Sequence, residues 1–194
     1  MKVLSVTYLF AALLTLPSLI DGQERQSNVS TVGRFAESPD KNASRSSPSE
    51  AEAVLLALVG RWHFDVYSQG RTVPAVSGER EMQLLDDSTK LAWTETFVGQ
   101  SRVGSGTLGY NSATGAWYLL GVYTHEAYPV VLIGRRDPST HALHFDPVEA
   151  TGRPGTFVSS ELRLVDAEHF HWVASDGGWR VVFTRIGPSA IKRF

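Results

Sequence analysis

Apolar and polar residues alternate with a period of two from residue 61 almost to the end of the chain. Near the start of this pattern, Trp62, Phe64 and Val66 are separated by single, more polar residues. Successive side chains of a β-strand point to opposite faces, so the alternation is typical of strands with one buried face. The pattern therefore predicts a β-sheet and places no helix between residue 61 and residue 186.

The β-type pattern divides into about ten runs, which short segments rich in Asn, Asp, Ser and Gly separate. Consecutive strands joined by tight turns form an antiparallel meander. A sheet of this size curls, and closing it into a barrel removes its exposed edges. The sequence thus predicts an all-β fold, a single antiparallel up-and-down β-barrel of about ten strands. The predicted strands cover residues 61–67, 79–84, 91–97, 102–110, 117–125, 130–136, 141–145, 157–165, 169–174 and 179–186.

A short helix is predicted immediately before the barrel. Ser47-Pro48-Ser49-Glu50 combines a capping hydroxyl, a proline at the first helical position and a glutamate near it, which is typical of a helix N-terminus. The Ala- and Leu-rich residues that follow continue the helix to about Gly60. The barrel domain, with its helix, is therefore assigned to residues 47–187, and residues 188–194 form a C-terminal tail.

The first 22 residues are typical of an export signal. Lys2 supplies the positive start, residues 3–16 form a nearly uninterrupted apolar run, and Pro17 ends it. An apolar run at the N-terminus that polar sequence follows favours a signal peptide, residues 1–22, and a secreted or periplasmic protein without a stable membrane span after cleavage. The alternative is an uncleaved anchor, because the apolar stretch approaches the length that crosses a bilayer.

Composition narrows the class of protein further. Residues 23–46 are rich in Ser, Asn, Arg and Glu and bury too little apolar surface to fold, which predicts a disordered linker. The net charge of −2 provides no basic surface, which argues against nucleic acid as a partner. The absence of cysteine excludes disulfides and thiolate metal sites. No cofactor is predicted, and the sequence leaves the oligomeric state open.

Gly60, Trp62 and Arg185 form a predicted closing group of the barrel. A glycine lets the helix and strand backbones approach closely, and the Trp62 ring is large enough to plug one end of the barrel. The first and last strands become neighbours when a barrel closes. We therefore expect Arg185, in the last strand, to lie on the Trp62 ring as a cation–π lid.

This combination resembles the calycins, which include lipocalins and fatty-acid-binding proteins. A closer resemblance is to a mostly bacterial family of calycin-like proteins that is catalogued only as a domain of unknown function. It is carried by the glycine-rich residues 99–111 and by the final Phe183-Thr184-Arg185. That family usually has Gly-Tyr-Asp where this chain has Gly109-Tyr110-Asn111, and Trp and Asp where Gly121 and Tyr123 stand. The resemblance implies a lipocalin-like barrel and carries no assigned activity.

One glycine motif is better explained by a barrel than by chemistry. Gly104, Gly106 and Gly109 have the spacing of a dinucleotide fingerprint. That chemistry requires a strand followed by a helix, so that the pyrophosphate meets helix N–H groups. Here a turn follows the glycines, which instead suit a bent and closely packed strand.

The histidines suggest a metal site only weakly. His169 and His171 lie two residues apart on a strand, so both rings share one face. The neighbouring Phe170 and Trp172 are the better candidates for the inward positions, and no carboxylate completes a site at a typical spacing. We therefore expect both histidines on the outer surface.

Two charged residues are predicted inside the barrel. Arg80 shares the inward face of its strand with Met82, and Glu95 shares that of the next strand with Trp93 and Phe97. A buried carboxylate is costly unless it is paired, so an internal Arg80–Glu95 ion pair is expected. The alternative places both side chains near the barrel mouth, in contact with water.

These residues favour a protein that binds a small, largely apolar ligand, with Arg80 and Glu95 as polar anchors. A second possibility is an interaction module whose barrel is filled by its own side chains. An enzyme with Glu95 or His125 as general base ranks last, and no catalytic residue is predicted. The predicted ligand-contacting residues are Arg80, Trp93, Glu95, Phe97, Trp117, Tyr123, His125, Phe145 and Phe157.

Overall fold

The computed structural model describes residues 48–85, 89–124, 126, 128–148 and 158–187. Several parts of the sequence discussed above lie outside these described residues. They are the predicted signal peptide (1–22), linker (23–46) and tail (188–194), the capping Ser47, and the candidate ligand residues His125 and Phe157. Within the described ranges, no helix is both long enough and apolar enough to cross a membrane.

The described residues form one helix and ten strands. They are α1 (Pro48–Leu58), β1 (Gly60–Ser68), β2 (Val76–Leu84), β3 (Lys90–Phe97), β4 (Val103–Asn111), β5 (Ala116–Tyr123), β6 (Val130–Arg136), β7 (Leu143–Pro147), β8 (Ser160–Leu164), β9 (His169–Ala174) and β10 (Trp179–Gly187). Each strand pairs antiparallel with the next one along the chain, and β1 also pairs with β10. The sheet is a closed barrel, so the predicted fold is confirmed.

Some predicted strand boundaries are wrong by a few residues. The strand predicted from residue 141 begins at Leu143, because residues 137–142 form a tight turn. In that turn the His141 N–H donates to the Asp137 carbonyl at 2.9 Å, and His141 has a φ of 59°. At the other side of the barrel, β5 ends at Tyr123 rather than at residue 125. Turn geometry, which the alternation does not encode, decides these ends.

The alternation itself correctly separates inward from outward side chains. In β1, Trp62, Phe64 and Val66 are buried, whereas Arg61 is exposed and His63 is partly exposed. The same two-residue pattern holds in the central parts of β2, β3 and β5. Large aromatic side chains with less than 2% exposure therefore fill much of the interior: Trp62, Phe64, Trp117, Phe145, Phe170 and Phe183.

Helix α1 packs against the barrel at the end where β1 begins. Ala51, Val54, Leu55 and Leu58 are buried, at the spacing that places side chains on one face of a helix. These residues belong to the same apolar core as the inward residues of the strands. The helix thus covers one end of the barrel with its apolar face.

Arg185 and Trp62 join this helix to the first and last strands. They are cross-strand partners in the β1–β10 pair, beside a β-bulge at Arg61. The Arg185 guanidinium carbon lies 4.1 Å from the Trp62 ring centroid, as expected for the cation–π lid. Arg185 also donates to the carbonyls of Val59 (2.8 Å) and Ala57 (3.0 Å). Carbonyls at the end of a helix lack intrahelical partners, so Arg185 caps α1 as well.

Gly60 makes room for this closing group. Its φ of 142° lies in a region that residues with a side chain rarely adopt, and a Cβ there would overlap Nη1 of Arg185. Directly beside it, Nε1 of Trp62 donates to the Leu58 carbonyl at 2.9 Å. A glycine at this position is therefore required both by the backbone and by the position of Arg185.

We predict that Arg185→Met lowers the free energy of unfolding by about 2 kcal/mol, because the helix-end carbonyls lose charged donors and Trp62 loses its cation. Urea unfolding of the chain measures this change. Arg135→Met, on the exposed outer face of β6, is the control, with an expected change below about 0.5 kcal/mol. Equal losses in the two variants would show that the closing contacts contribute no more than an exposed arginine does.

Candidate functional site

Arg80 and Glu95 form the ion pair predicted for the barrel interior. They are cross-strand partners in β2 and β3, and they are 5% and 4% exposed. Nε of Arg80 donates to Oε1 of Glu95 at 2.7 Å, and Nη2 of Arg80 contacts the same oxygen. The pair therefore lies in the core, and the alternative of two solvated side chains at the mouth is wrong.

Three aromatic rings surround the guanidinium of Arg80. Its carbon lies 4.8 Å from the ring centroid of Phe183, 4.9 Å from that of Trp93 and 5.7 Å from that of Trp172. A cation over an aromatic face is attracted by the ring quadrupole, and the attraction is stronger where water is excluded. Trp93, Trp172 and Phe183 thus form an aromatic cage around a buried charge.

Tyr123 completes the polar group on the side of Glu95. Its hydroxyl is hydrogen-bonded to Glu95. Burial, and after it the negative charge of Glu95, raises the pKa of Tyr123 far above its ordinary value, so the hydroxyl keeps its proton. Gly104 is the cross-strand neighbour of both residues, and a Cβ there would overlap the Tyr123 ring. Arg80, Glu95 and Tyr123 are called the interior polar group below.

Some buried N–H donors near this group have no acceptor among the described residues. Glu95 accepts from Nε and Nη2 of Arg80. The indole nitrogens of Trp93 and Trp117, in contrast, are buried and lack an acceptor among the described residues. Leaving a buried donor unpaired costs about 1–3 kcal/mol, and such donors are rare in native structures. An acceptor supplied by a bound molecule would satisfy them.

Trp93 packs over glycines of the two following strands. A Cβ at Gly106 would overlap the Trp93 ring, and one at Gly121 would lie 2.9 Å from it. Gly106 pairs with Trp93 on one side and with Gly121 on the other. The glycine-rich stretch of β4 therefore provides space for a large ring. This agrees with the prediction that these glycines serve a closely packed strand and not a dinucleotide site.

The other predicted ligand residues divide into two groups. Phe97 lies beside Tyr123, with ring centroids 6.3 Å apart, and so belongs to the surroundings of the interior polar group. Trp117 and Phe145 are buried but contact other rings, those of Tyr110 at 5.3 Å and Trp172 at 6.4 Å. Phe145 therefore contacts the aromatic cage through Trp172, and among the described residues no ring contact or hydrogen bond joins Trp117 to the interior polar group.

Three residues of this region were not predicted from the sequence to contact a ligand: Arg102, Trp172 and Phe183. The Arg102 guanidinium carbon lies 4.5 Å from the Tyr123 ring centroid and 5.0 Å from that of Phe97. The inward positions of Trp172 and Phe183 follow from the alternation, but their proximity to Arg80 requires that β9, β10, β1 and β2 are neighbours in the closed barrel. The prediction that the barrel closes was therefore the sequence signal that could have placed Trp172 and Phe183 near Arg80.

The outer face of β9 carries the two histidines, as expected. His169 Nδ1 lies 3.0 Å from an oxygen of Asp166. Burial lowers the pKa of His171, and the positive charges of Arg180, His169 and Arg163 lower it further. Among the described residues, no group of three His, Asp or Glu side chains converges on a possible metal position.

Fold and site together define a class of protein: a closed antiparallel barrel of ten strands with a buried ion pair among interior aromatic rings. No protein-family model matches the chain, and no curated protein matches it. Its resemblance to the bacterial calycin-like family therefore stays a prediction.

Among solved structures, seven chains match. One is the crystal structure of Rv2717c from M. tuberculosis, with 13% sequence identity and a TM-score of 0.49, over 73% of this chain and 99% of that one. A likeness at this level carries no argument about function.

We predict that removing one partner of the buried pair costs more stability than removing both. Arg80→Met leaves Glu95 buried without its cation, which should lower the free energy of unfolding by about 3–5 kcal/mol. Arg80→Met/Glu95→Leu leaves no unpaired charge and should recover most of that loss. Urea unfolding in a double-mutant cycle measures the coupling, with Glu81→Gln on the outer face of β2 as control. Additive losses would contradict the pairing.

We predict that Arg180→Gln raises the pKa of His171 towards the ordinary value of about 6.5, because a positive neighbour is lost while burial remains. NMR titration of the imidazole ring measures the pKa. The depressed pKa means that the unfolded chain binds more protons, so stability falls as the pH drops below about 6.5, and less so in Arg180→Gln. The distant Arg135→Gln should leave the pKa unchanged, and an equal rise in both variants would contradict this assignment.

Proposed function

We propose that this protein is an exported, lipocalin-like barrel that binds a small, uncharged and largely apolar ligand beside the interior polar group. The observation that carries the proposal is the Arg80 guanidinium. It is buried inside an aromatic cage, and the buried indole N–H of Trp93 in that cage has no acceptor among the described residues. A ligand oxygen beside Trp93 would accept from this N–H, while the aromatic rings would contact the apolar part of the ligand.

The charge of the interior polar group favours an uncharged ligand. Arg80 and Glu95 neutralise each other, and the raised pKa of Tyr123 keeps its hydroxyl neutral. A ligand carboxylate would bring a second negative charge close to Glu95, and a ligand cation would approach Arg80 in a region of low dielectric. A carbonyl or hydroxyl oxygen accepts a hydrogen bond from the Trp93 indole without either repulsion.

Ligand recognition also accounts for the presence of a buried ion pair. Apolar replacements of buried ion pairs are often neutral or stabilising, so stability alone is a weak reason to keep one. A polar anchor inside an apolar cavity fixes the orientation of a ligand, and removing it leaves an apolar core of similar stability. The export part of the proposal is supported by the apolar N-terminal run of residues 3–16.

An enzyme with Glu95 as general base is less well supported. Glu95 is held by Arg80 and hydrogen-bonded to Tyr123. A general base needs an oxygen directed at the proton that it removes, whereas these contacts hold the carboxylate in place as an ion-pair partner. The other candidate base, His125, lies outside the described residues.

A second candidate function is that of a packed barrel that acts through its surface. It is favoured by the large rings in the interior and by apolar side chains on the outer face of β5 and β6. Leu120, Val122 and Ile133 there are 43%, 54% and 45% exposed. Neighbouring exposed apolar side chains of this kind are common where proteins interact.

Native mass spectrometry of the mature chain from the exported fraction of its own host tests the first proposal. We expect a reproducible additional mass from a bound ligand, and an intact mass that lacks residues 1–22. In Arg80→Met/Glu95→Leu, which should still fold, we expect ligand affinity to fall about tenfold or more, equal to about 1.4 kcal/mol, because the polar anchor is absent. Glu81→Gln, which removes an outward charge from the same strand, should keep the ligand.

A chain without bound mass, and without thermal stabilisation by a panel of lipids and metabolites, would contradict the binding proposal and favour the packed barrel. Equal ligand retention in the double variant would show that the interior polar group is not the anchor. Recovery of the chain only from the cytosol would contradict export and leave the binding test unaffected.

A further inference from the structure

A concave site lies at the end of the barrel opposite α1, between the β1–β2 and β9–β10 connections. It has a volume of about 350 Å³, and its walls include Tyr67, Arg71, Thr72, Trp179 and Arg180. We call it the rim groove. None of the residues predicted from the sequence to contact a ligand lines it.

Main-chain hydrogen bonds hold the two connections that form the groove. The Gln69 N–H donates to the Gly178 carbonyl at 3.0 Å, which links one connection to the other. The Arg71 N–H donates to the Ser68 carbonyl at 3.0 Å and closes a turn. The groove is therefore built on hydrogen-bonded backbone at the ends of two paired strands.

Arg180 is oriented along the wall of the groove. It is the cross-strand partner of Tyr67, and its guanidinium carbon lies 4.6 Å from the Tyr67 ring centroid. Stacking on the ring restricts the side chain while leaving the edge of the guanidinium open to other partners. A preoriented guanidinium loses less conformational freedom when it binds an anion.

The charges that line the groove are all positive. Arg71 and Arg180 contribute them, and no carboxylate is among the described residues of the lining. Within the described part of the chain, neither guanidinium has a carboxylate partner. The nearby Asp176 is bonded instead to the Gly178 N–H at 2.8 Å. The groove thus presents two arginines without a carboxylate partner among the described residues, beside apolar and hydroxyl side chains.

We propose that the rim groove is a second binding site, for a small molecule with a phosphate monoester group on a flat apolar body. The planar fork of Arg matches phosphate oxygens, and the hydroxyl of Thr72 supplies a further donor. Two guanidinium groups balance the charge of about −1.5 to −2 that a phosphate monoester carries at pH 7. Trp179 and Val173 provide apolar wall for the body of the molecule.

This site goes beyond the proposed interior site and differs from it in charge. The interior polar group is neutral as a whole and favours an uncharged ligand, whereas the rim groove attracts an anion. Trp179 links the two regions structurally, since its ring lies 6.1 Å from that of Trp172 in the aromatic cage. The two sites can nevertheless be tested with separate probes and separate variants.

Calorimetric titration of the whole chain with phenyl phosphate tests the proposal. We expect saturable one-to-one binding that Arg180→Gln and Arg71→Gln each weaken about tenfold or more, equal to about 1.4 kcal/mol. Arg135→Gln removes the same charge from the outer face of β6 and should leave the affinity unchanged. All three arginines are exposed, so thermal unfolding should show intact folding of each variant.

Three further compounds measure separately how much the phosphate group and the apolar ring contribute to binding. Phenol, which lacks the charge, should not bind, and inorganic phosphate and benzoate should bind more weakly than phenyl phosphate. Equal weakening by Arg135→Gln and Arg180→Gln would overturn the proposal, because attraction by net charge would then suffice. Equal affinity for phenol or for inorganic phosphate would also overturn it. Unchanged binding in Arg80→Met/Glu95→Leu is expected, since that variant alters only the interior site.

Discussion

The pairing of β1 with β10 is the interaction on which the rest of this structure depends. It runs from Ser68 and Trp179 to the Arg61–Gly187 pair, and it turns a ten-stranded meander into a barrel without edges. Trp62 and Arg185 lie at this seam, where the arginine also binds the end of α1. One side chain thereby connects the first strand, the last strand and the helix that covers the barrel end.

Closure creates a single interior, and the volume of that interior constrains every inward side chain. Large aromatic rings fill it, and glycines on neighbouring strands provide the space that the rings need, as Gly106 does for Trp93. Protein interiors are packed as densely as organic crystals, so a ring and the glycine beneath it form one structural unit. The same constraint explains why the buried Arg80 is surrounded by aromatic rings.

The barrel therefore has two environments for recognition, with different physical properties. In the interior, Arg80 and Glu95 cancel each other's charge under low dielectric, so hydrogen-bond geometry and shape determine what fits there. At the rim, Arg71 and Arg180 are exposed and have no carboxylate partner among the described residues. Attraction there acts over a longer range and weakens with salt. A neutral ligand and an anion would thus be recognised by different parts of one small domain.

The sequence by itself determined the number and approximate position of the strands, the helix before them and the Trp62–Arg185 contact. Those features follow from local alternation, from turn residues and from the fact that the ends of a closed sheet meet. The sequence also predicted an Arg80–Glu95 ion pair but left open whether the pair is buried or lies at the barrel mouth, which the structure decided. Only the tertiary structure decided that Trp172 and Phe183 surround Arg80, that the buried indole N–H of Trp93 has no acceptor among the described residues, and that Arg71 and Arg180 share a groove. Such contacts depend on strand register, barrel closure and turn geometry, which bring together residues far apart in the chain and leave no periodic signal in it.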